Sequence, residues 1–81
     1  MKTKLREMRS RYHLSQDQLG RRVGVSRQTI ASLESGQFRP GLPLAFRLAH
    51  LFKVKIEDLF TPDPEDLEAV QGLEQEGDPR V

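Results

Sequence analysis

Residues 14–36 read Leu14-Ser-Gln-Asp-Gln-Leu-Gly-Arg-Arg-Val-Gly-Val-Ser-Arg-Gln-Thr-Ile-Ala-Ser-Leu-Glu-Ser-Gly36, and two helix starts are written into them. Ser15-Gln-Asp-Gln18 is a capping box: the serine hydroxyl accepts from the backbone N–H of residue 18, whose side chain reaches back to residue 15. The helix it opens runs through Leu19 and Val23 and stops at Gly24, which takes the left-handed conformation without steric cost. Ser26 is a second N-cap, opening a helix from about Arg27 to Ser35 that Gly36 ends. Only Gly24-Val25-Ser26 separates the two, which is the spacing of a helix-turn-helix. Gly20 is small enough to let the backbone of the later helix pass closely, and Val25 plugs the space beneath the turn. Ile30 and Leu33, three apart, anchor that helix to a core. Its other face carries Arg27, Gln28, Thr29, Ser32 and Ser35. Arginine can bind guanine O6 and N7 in a two-point contact and glutamine can do the same for adenine N6 and N7, each worth roughly 1–3 kcal/mol of discrimination.

Outward from this stretch the pattern stays helical. Leu5, Met8 and Tyr12 follow i, i+3, i+7 spacing, so residues 4–12 form an amphipathic helix with Thr3 as N-cap. Gly36-Gln-Phe-Arg-Pro-Gly41 is dense in breakers and reads as a loop. A fourth helix follows with Leu44, Ala45, Leu48, Ala49 and Phe52 on its core face, and Pro43 tolerated in its first turn. Val54 and Ile56 introduce a short helix through Glu57-Asp-Leu-Phe60. No sustained period-two alternation and no internal repeat is present. The fold class is all-α, a bundle of five helices in residues 1–61 with a short acidic C-terminal extension, residues 62–81. Thr61-Pro-Asp-Pro64 marks the boundary, since two prolines in three residues do not continue a helix. Asp63 and Pro64 also make an N-cap and N1 pair that permits a sixth helix from Pro64 to about Leu73, with Leu67 and Val70 on one side. Residues 74–81 have the composition of a disordered end.

Composition sets the outer limits. The chain has 81 residues, room for one domain and a tail but not for a large catalytic fold. Thirteen Lys and Arg against twelve Asp and Glu give a formal net charge of +1, an average that conceals a division. Residues 1–61 hold twelve bases and five acids, a net +7, and residues 62–81 hold one base and seven acids, a net −6. The absence of cysteine excludes disulfides, thiolate metal ligands and thiol nucleophiles, and fits a reducing, cytoplasmic setting. The N-terminus lacks the apolar stretch of a signal peptide. The most apolar segment, Leu42 to Phe52, is interrupted by Arg47 and His50 and falls short of the roughly 18 residues of a membrane span. A domain of this size without disulfides has a marginal core, which favours a dimer.

The segment Leu14 to Gly36 resembles the core of the Cro/repressor-type (Xre) helix-turn-helix family, and the likeness extends from Leu5 to Phe60, including Pro40-Gly-Leu-Pro-Leu-Ala45. The resemblance implies a five-helix bundle whose third helix enters the major groove, usually as a dimer on a partly palindromic operator. By the same resemblance Arg27, Gln28 and Ser32 fall at base-reading positions. Gln16 corresponds to a glutamine that holds a phosphate and buttresses the recognition helix, and Thr29, Ser35, Gln37 and Arg39 are placed for the phosphate backbone. Arg9 and Glu34 match a pair that bridges the first helix to the end of the third, and with Gly20 and Gly24 they are scaffold. There are departures. His13 stands where many relatives have glycine, which implies a strained left-handed cap. Ser35 replaces a common asparagine, and Arg27 stands where some relatives use glutamine, so no operator sequence carries over.

Other readings of single residues compete with these. Arg21 and Arg22 read as solvated charges, and Ser15 and Ser26 as caps, not nucleophiles. His13 and His50 form no ligand cluster, so neither metal nor cofactor is expected, and no enzyme. Leu42, Phe46 and Phe60 are either exposed dimer contacts or ordinary core. The tail either competes with phosphates for the basic face, extends a dimer seam or docks a protein through Leu67 and Val70, or only aids solubility. The expected function is a sequence-specific regulator that binds double-stranded DNA as a homodimer. The alternative is an antitoxin or adaptor whose main partner is a protein.

Overall fold

Each helix supplies at least one side chain to a common centre: Leu5, Leu19, Ile30, Leu33, Leu48 and Leu59 are the largest side chains withdrawn almost wholly from water. In the computed structural model, which describes residues 1–73, they come from α1 (Leu5–Arg11), α2 (Gln16–Val23), α3 (Arg27–Ser35), α4 (Leu42–Phe52) and α5 (Ile56–Leu59). Burying a leucine or isoleucine of this kind contributes about 1.5–3 kcal/mol, so a core assembled from five short helices depends on all five being present together. The architecture is the expected all-α bundle of five helices.

The local signals act where the sequence places them. The Ser15 hydroxyl accepts from the Gln18 N–H at 3.0 Å, and the Gln18 side chain accepts from the Ser15 N–H at 2.8 Å. Gly24 and Gly36 end α2 and α3 at φ values of 81° and 82°. His13 has φ 58°, so the residue between α1 and α2 occupies the left-handed region with a side chain that tolerates it better than most. Lys53 does the same after α4, at φ 59°, and there the Val54 N–H reaches back to the Ala49 carbonyl. Thr3 precedes the helix start by one residue more than expected, and its hydroxyl accepts from the Leu5 N–H at 3.1 Å. Tyr12 is 53% exposed, not core, and its ring lies 5.5 Å from that of Phe52, covering it.

Two features depart from the helical reading. Lys2–Thr3 (β1) and Phe60–Thr61 (β2) pair antiparallel, Lys2 opposite Thr61 and Thr3 opposite Phe60. Strands of two residues are too short to show alternation, and only the folded bundle brings these two distant segments together. This minor sheet buries Phe60, which is therefore core. The sixth helix over 64–73 is reduced to one 3-10 turn, Pro64–Asp66. Leu67, Val70 and Leu73 are 55%, 70% and 80% exposed, so they find no surface to pack against, and a short segment without apolar packing does not hold a helix. The disorder expected of residues 74–81 lies outside the described residues.

Candidate nucleic-acid interface

The turn between α2 and α3 is built around Gly20. A Cβ there would lie 2.6 Å from the Val25 carbonyl oxygen and 3.2 Å from the Ser26 backbone, contacts that only glycine avoids. The Gly20 carbonyl accepts from the Val25 N–H at 2.9 Å, so the same position closes the turn with a hydrogen bond. Ser26 then caps α3, its hydroxyl accepting from the Thr29 N–H at 3.1 Å. Ile30 and Leu33 are buried, which fixes the roll of α3 about its axis and turns Arg27 and Gln28 outward, where both are exposed. Among the described residues, no carboxylate lies within ion-pair distance of Arg27.

The end of α3 is tied down by charge. Glu34 has a side chain only 2% exposed. Arg9 Nε donates to its Oε2 at 2.7 Å and Arg9 Nη2 to its Oε1 at 3.2 Å. Gln16 Nε2 also donates to Oε1, at 3.0 Å, and the Arg6 guanidinium stands 3.8 Å away. Burial pushes the Glu34 carboxyl up, but the hydrogen bonds from Arg9 and Gln16 and the charges of Arg9 and Arg6 outweigh it and hold the group below its ordinary range. Arg9 Nη1 further donates to the Leu14 carbonyl at 3.0 Å, so one guanidinium ties α1, the turn before α2, and α3 together.

Of the residues singled out from sequence, Arg9, Gln16 and Glu34 therefore form one cluster joining three helices. Gln16 opens α2 and keeps a second amide N–H beyond the one it gives to Glu34. Ser32, Ser35 and Gln37 form another group: the Ser35 hydroxyl donates to the Ser32 carbonyl at 3.0 Å, and the Gln37 N–H reaches that same carbonyl at 3.1 Å. Thr29 is half-buried, with its hydroxyl 3.1 Å from that of Ser26. Arg39 stands apart. Its guanidinium is engaged by Asp66, in the turn that follows β2, at 2.5 Å. Sequence reasoning gave the tail a net negative charge but no signal that Asp66 would be the partner.

One further cation was not anticipated in its role, and another, Arg21, is the solvated charge expected of it. Arg47 of α4 donates from Nε to the Val23 carbonyl at 3.0 Å, satisfying an open carbonyl at the end of α2. Arg21 pairs with Asp17 one turn earlier at 3.0 Å, with both side chains largely in water, a geometry worth little to stability. No helix among the described residues is long and apolar enough to cross a membrane.

A turn that only glycine permits and a third helix with a buried inner face and a polar outer face define a helix-turn-helix, and the family model for the helix-turn-helix matches residues 5–59. The chain belongs to the Cro/repressor-type (Xre) helix-turn-helix family. It is 45% identical over 67 residues to an uncharacterized HTH-type transcriptional regulator of Archaeoglobus fulgidus, covering 83% of this chain and 94% of that protein. The uncharacterized HTH-type transcriptional regulator YgzD of Bacillus subtilis is 44% identical over 66 residues, 82% of this chain and all of that protein. One from Methanocaldococcus jannaschii is 50% identical over 60 residues, covering 74% and 91% respectively.

Proposed function

We propose that this protein is a transcriptional regulator that binds double-stranded DNA in a sequence-specific way, with α3 in the major groove. The observation that carries the reading is the outer face of α3. Arg27 and Gln28 are exposed there on a helix whose inner face is buried and whose end is held by the Arg9–Glu34 pair. A donor presented on a rigid element loses less freedom on binding than one on a loop, which favours discrimination between bases. In this reading Arg27, Gln28 and Ser32 meet base edges, and Gln16, Thr29, Ser35, Gln37 and Arg39 meet phosphates and set the register. The relatives named HTH-type transcriptional regulators support it.

The protein binds its operator as a homodimer, two recognition helices entering successive major grooves about 34 Å apart. Supporting this are Leu42 and Phe46, 68% and 59% exposed and one turn apart on α4, an apolar surface suited to a second copy. Selection of bound duplexes from a random pool tests the reading: enrichment of a partly palindromic sequence is expected, and equal affinity for all sequences overturns it. A protein partner is the second reading, favoured by the exposed Leu67, Val70 and Leu73 of the tail. Co-purification of a stoichiometric protein that survives deletion of the DNA would support it.

A further inference from the structure

We propose that Asp66 is an intramolecular competitor for the DNA backbone, occupying Arg39 in the free protein and giving it up to a phosphate on binding. The inference rests on the DNA-binding reading and adds a regulatory part to it. Arg39 lies in the loop that leads from α3 to α4, and its guanidinium Nη1 meets the Asp66 Oδ1 at 2.5 Å. The other carboxylate oxygen, Oδ2, accepts from the Asp63 N–H at 2.7 Å, so both oxygens of Asp66 are used and the anion is fixed in place. That backbone hydrogen bond is the main reason its carboxyl lies below the ordinary range; partial burial opposes it, and Arg39 adds to the lowering, so the group is ionised at neutral pH.

The two partners differ in exposure. The Asp66 side chain is 13% exposed and the Arg39 side chain 58%, so the cation keeps an open side from which a phosphate can approach. The tertiary structure delivers the tail to this loop. Pairing of β2 with β1 and burial of Phe60 fix the direction of the chain as it leaves the bundle, and the Asp63 carboxylate is held by the Met1 ammonium. A carboxylate in this position offers Arg39 the same kind of acceptor as a phosphate oxygen, at the high local concentration of a tethered group.

The consequence is an exchange of one anion for another. When a phosphate takes Arg39, the freed Asp66 gathers a cation, which offsets the counterion that the Arg39 contact releases. Asp66→Asn keeps an oxygen for the Asp63 N–H and removes the charge. The full-length variant should bind duplex DNA about 2–5-fold more tightly at low salt, the range of an exposed ion pair, and equally so for operator and unrelated sequences. Its plot of log affinity against log salt should steepen by about 0.9, one phosphate contact. In an Arg39→Gln background the same change should have no effect on either quantity. Unchanged or weaker binding by Asp66→Asn, with its circular dichroism and melting temperature near those of the wild type, overturns the competitor role and makes Asp66 a support that aims Arg39. Should the variant melt early, full-length Asp66→Ser supplies the second comparison: it too removes the charge and must bind more tightly only when Arg39 is present. A wild-type chain that binds no duplex overturns the DNA reading and the competitor role together, whereas wild-type binding without a gain in the variants overturns the competitor role alone.

Discussion

The Arg9 guanidinium grips the Glu34 carboxylate through two nitrogens, at 2.7 and 3.2 Å, where the carboxylate is almost wholly enclosed and Gln16 donates to it as well. This places a charged cluster beneath the end of α3, joined to the residue that opens α2. The orientation of α3 and the start of α2 are thus coupled through one carboxylate.

Arg9→Ala leaves that carboxylate enclosed and without its main partner, and should destabilise the fold by about 3–5 kcal/mol in urea denaturation. Glu34→Gln removes the charge while keeping an acceptor, and should cost less. A loss below about 1 kcal/mol for Arg9→Ala would show that the pair is not needed to hold α3.

The same cluster gives a pH dependence. The Glu34 carboxyl is held below its ordinary value of 4.5, so its stabilising contribution is complete above that value and is lost as pH falls through the lowered one. The melting temperature of the wild type should therefore decline on acidification below about pH 4.5, and Glu34→Gln should flatten part of that decline. Identical acid limbs for the two proteins would contradict the assignment.

Gly20→Ala introduces a methyl group 2.6 Å from the Val25 carbonyl oxygen. The atoms it meets are backbone of the turn, not the far end of a flexible side chain, so a loss of about 1–3 kcal/mol is expected from overpacking. Alanine ordinarily stabilises a helix relative to glycine by about 1 kcal/mol, so even a neutral result would mean that the turn had opened.

Base reading and phosphate binding separate by the pattern of loss. Arg27→Ala and Gln28→Ala should relax preference at particular operator positions by roughly 1–3 kcal/mol each, measured by titration with single-base variants of a selected duplex. Gln16→Ala should weaken binding to all sequences alike. It should also lower stability, because Glu34 loses a hydrogen bond in the same step.

Phe46→Glu places a charge on the exposed surface of α4. If two copies meet there, the variant should bind a half-site as the wild type does and lose the cooperative gain on the full palindrome, with sedimentation showing a monomer. Retained cooperativity would move the dimer contact away from Leu42 and Phe46.

Much of this arrangement is legible along the chain because its causes are local. Ser15 and Gln18 cap α2 across three residues, Gly24 turns the chain, and Ile30 and Leu33 fall on one face of α3 whatever lies elsewhere. The rest depended on where distant segments come to lie. Phe60 was open as either core or surface until its pairing with Thr3 buried it, and Tyr12, periodic with Leu5 and Met8, came out over Phe52 instead of inside. Leu67 and Val70 were spaced for a helix that the bundle offers nothing to pack against. Arg39 shows the division most clearly. Its place in the loop after α3 is set by its neighbours in the chain, but its partner Asp66 is chosen by the sheet that brings the two ends of the domain together. Caps and turns are hydrogen bonds between near neighbours and so are encoded residue by residue. An ion pair across the molecule forms only after the core has closed, and only the closed core decides which of the four carboxylates in residues 62–73 reaches that cation.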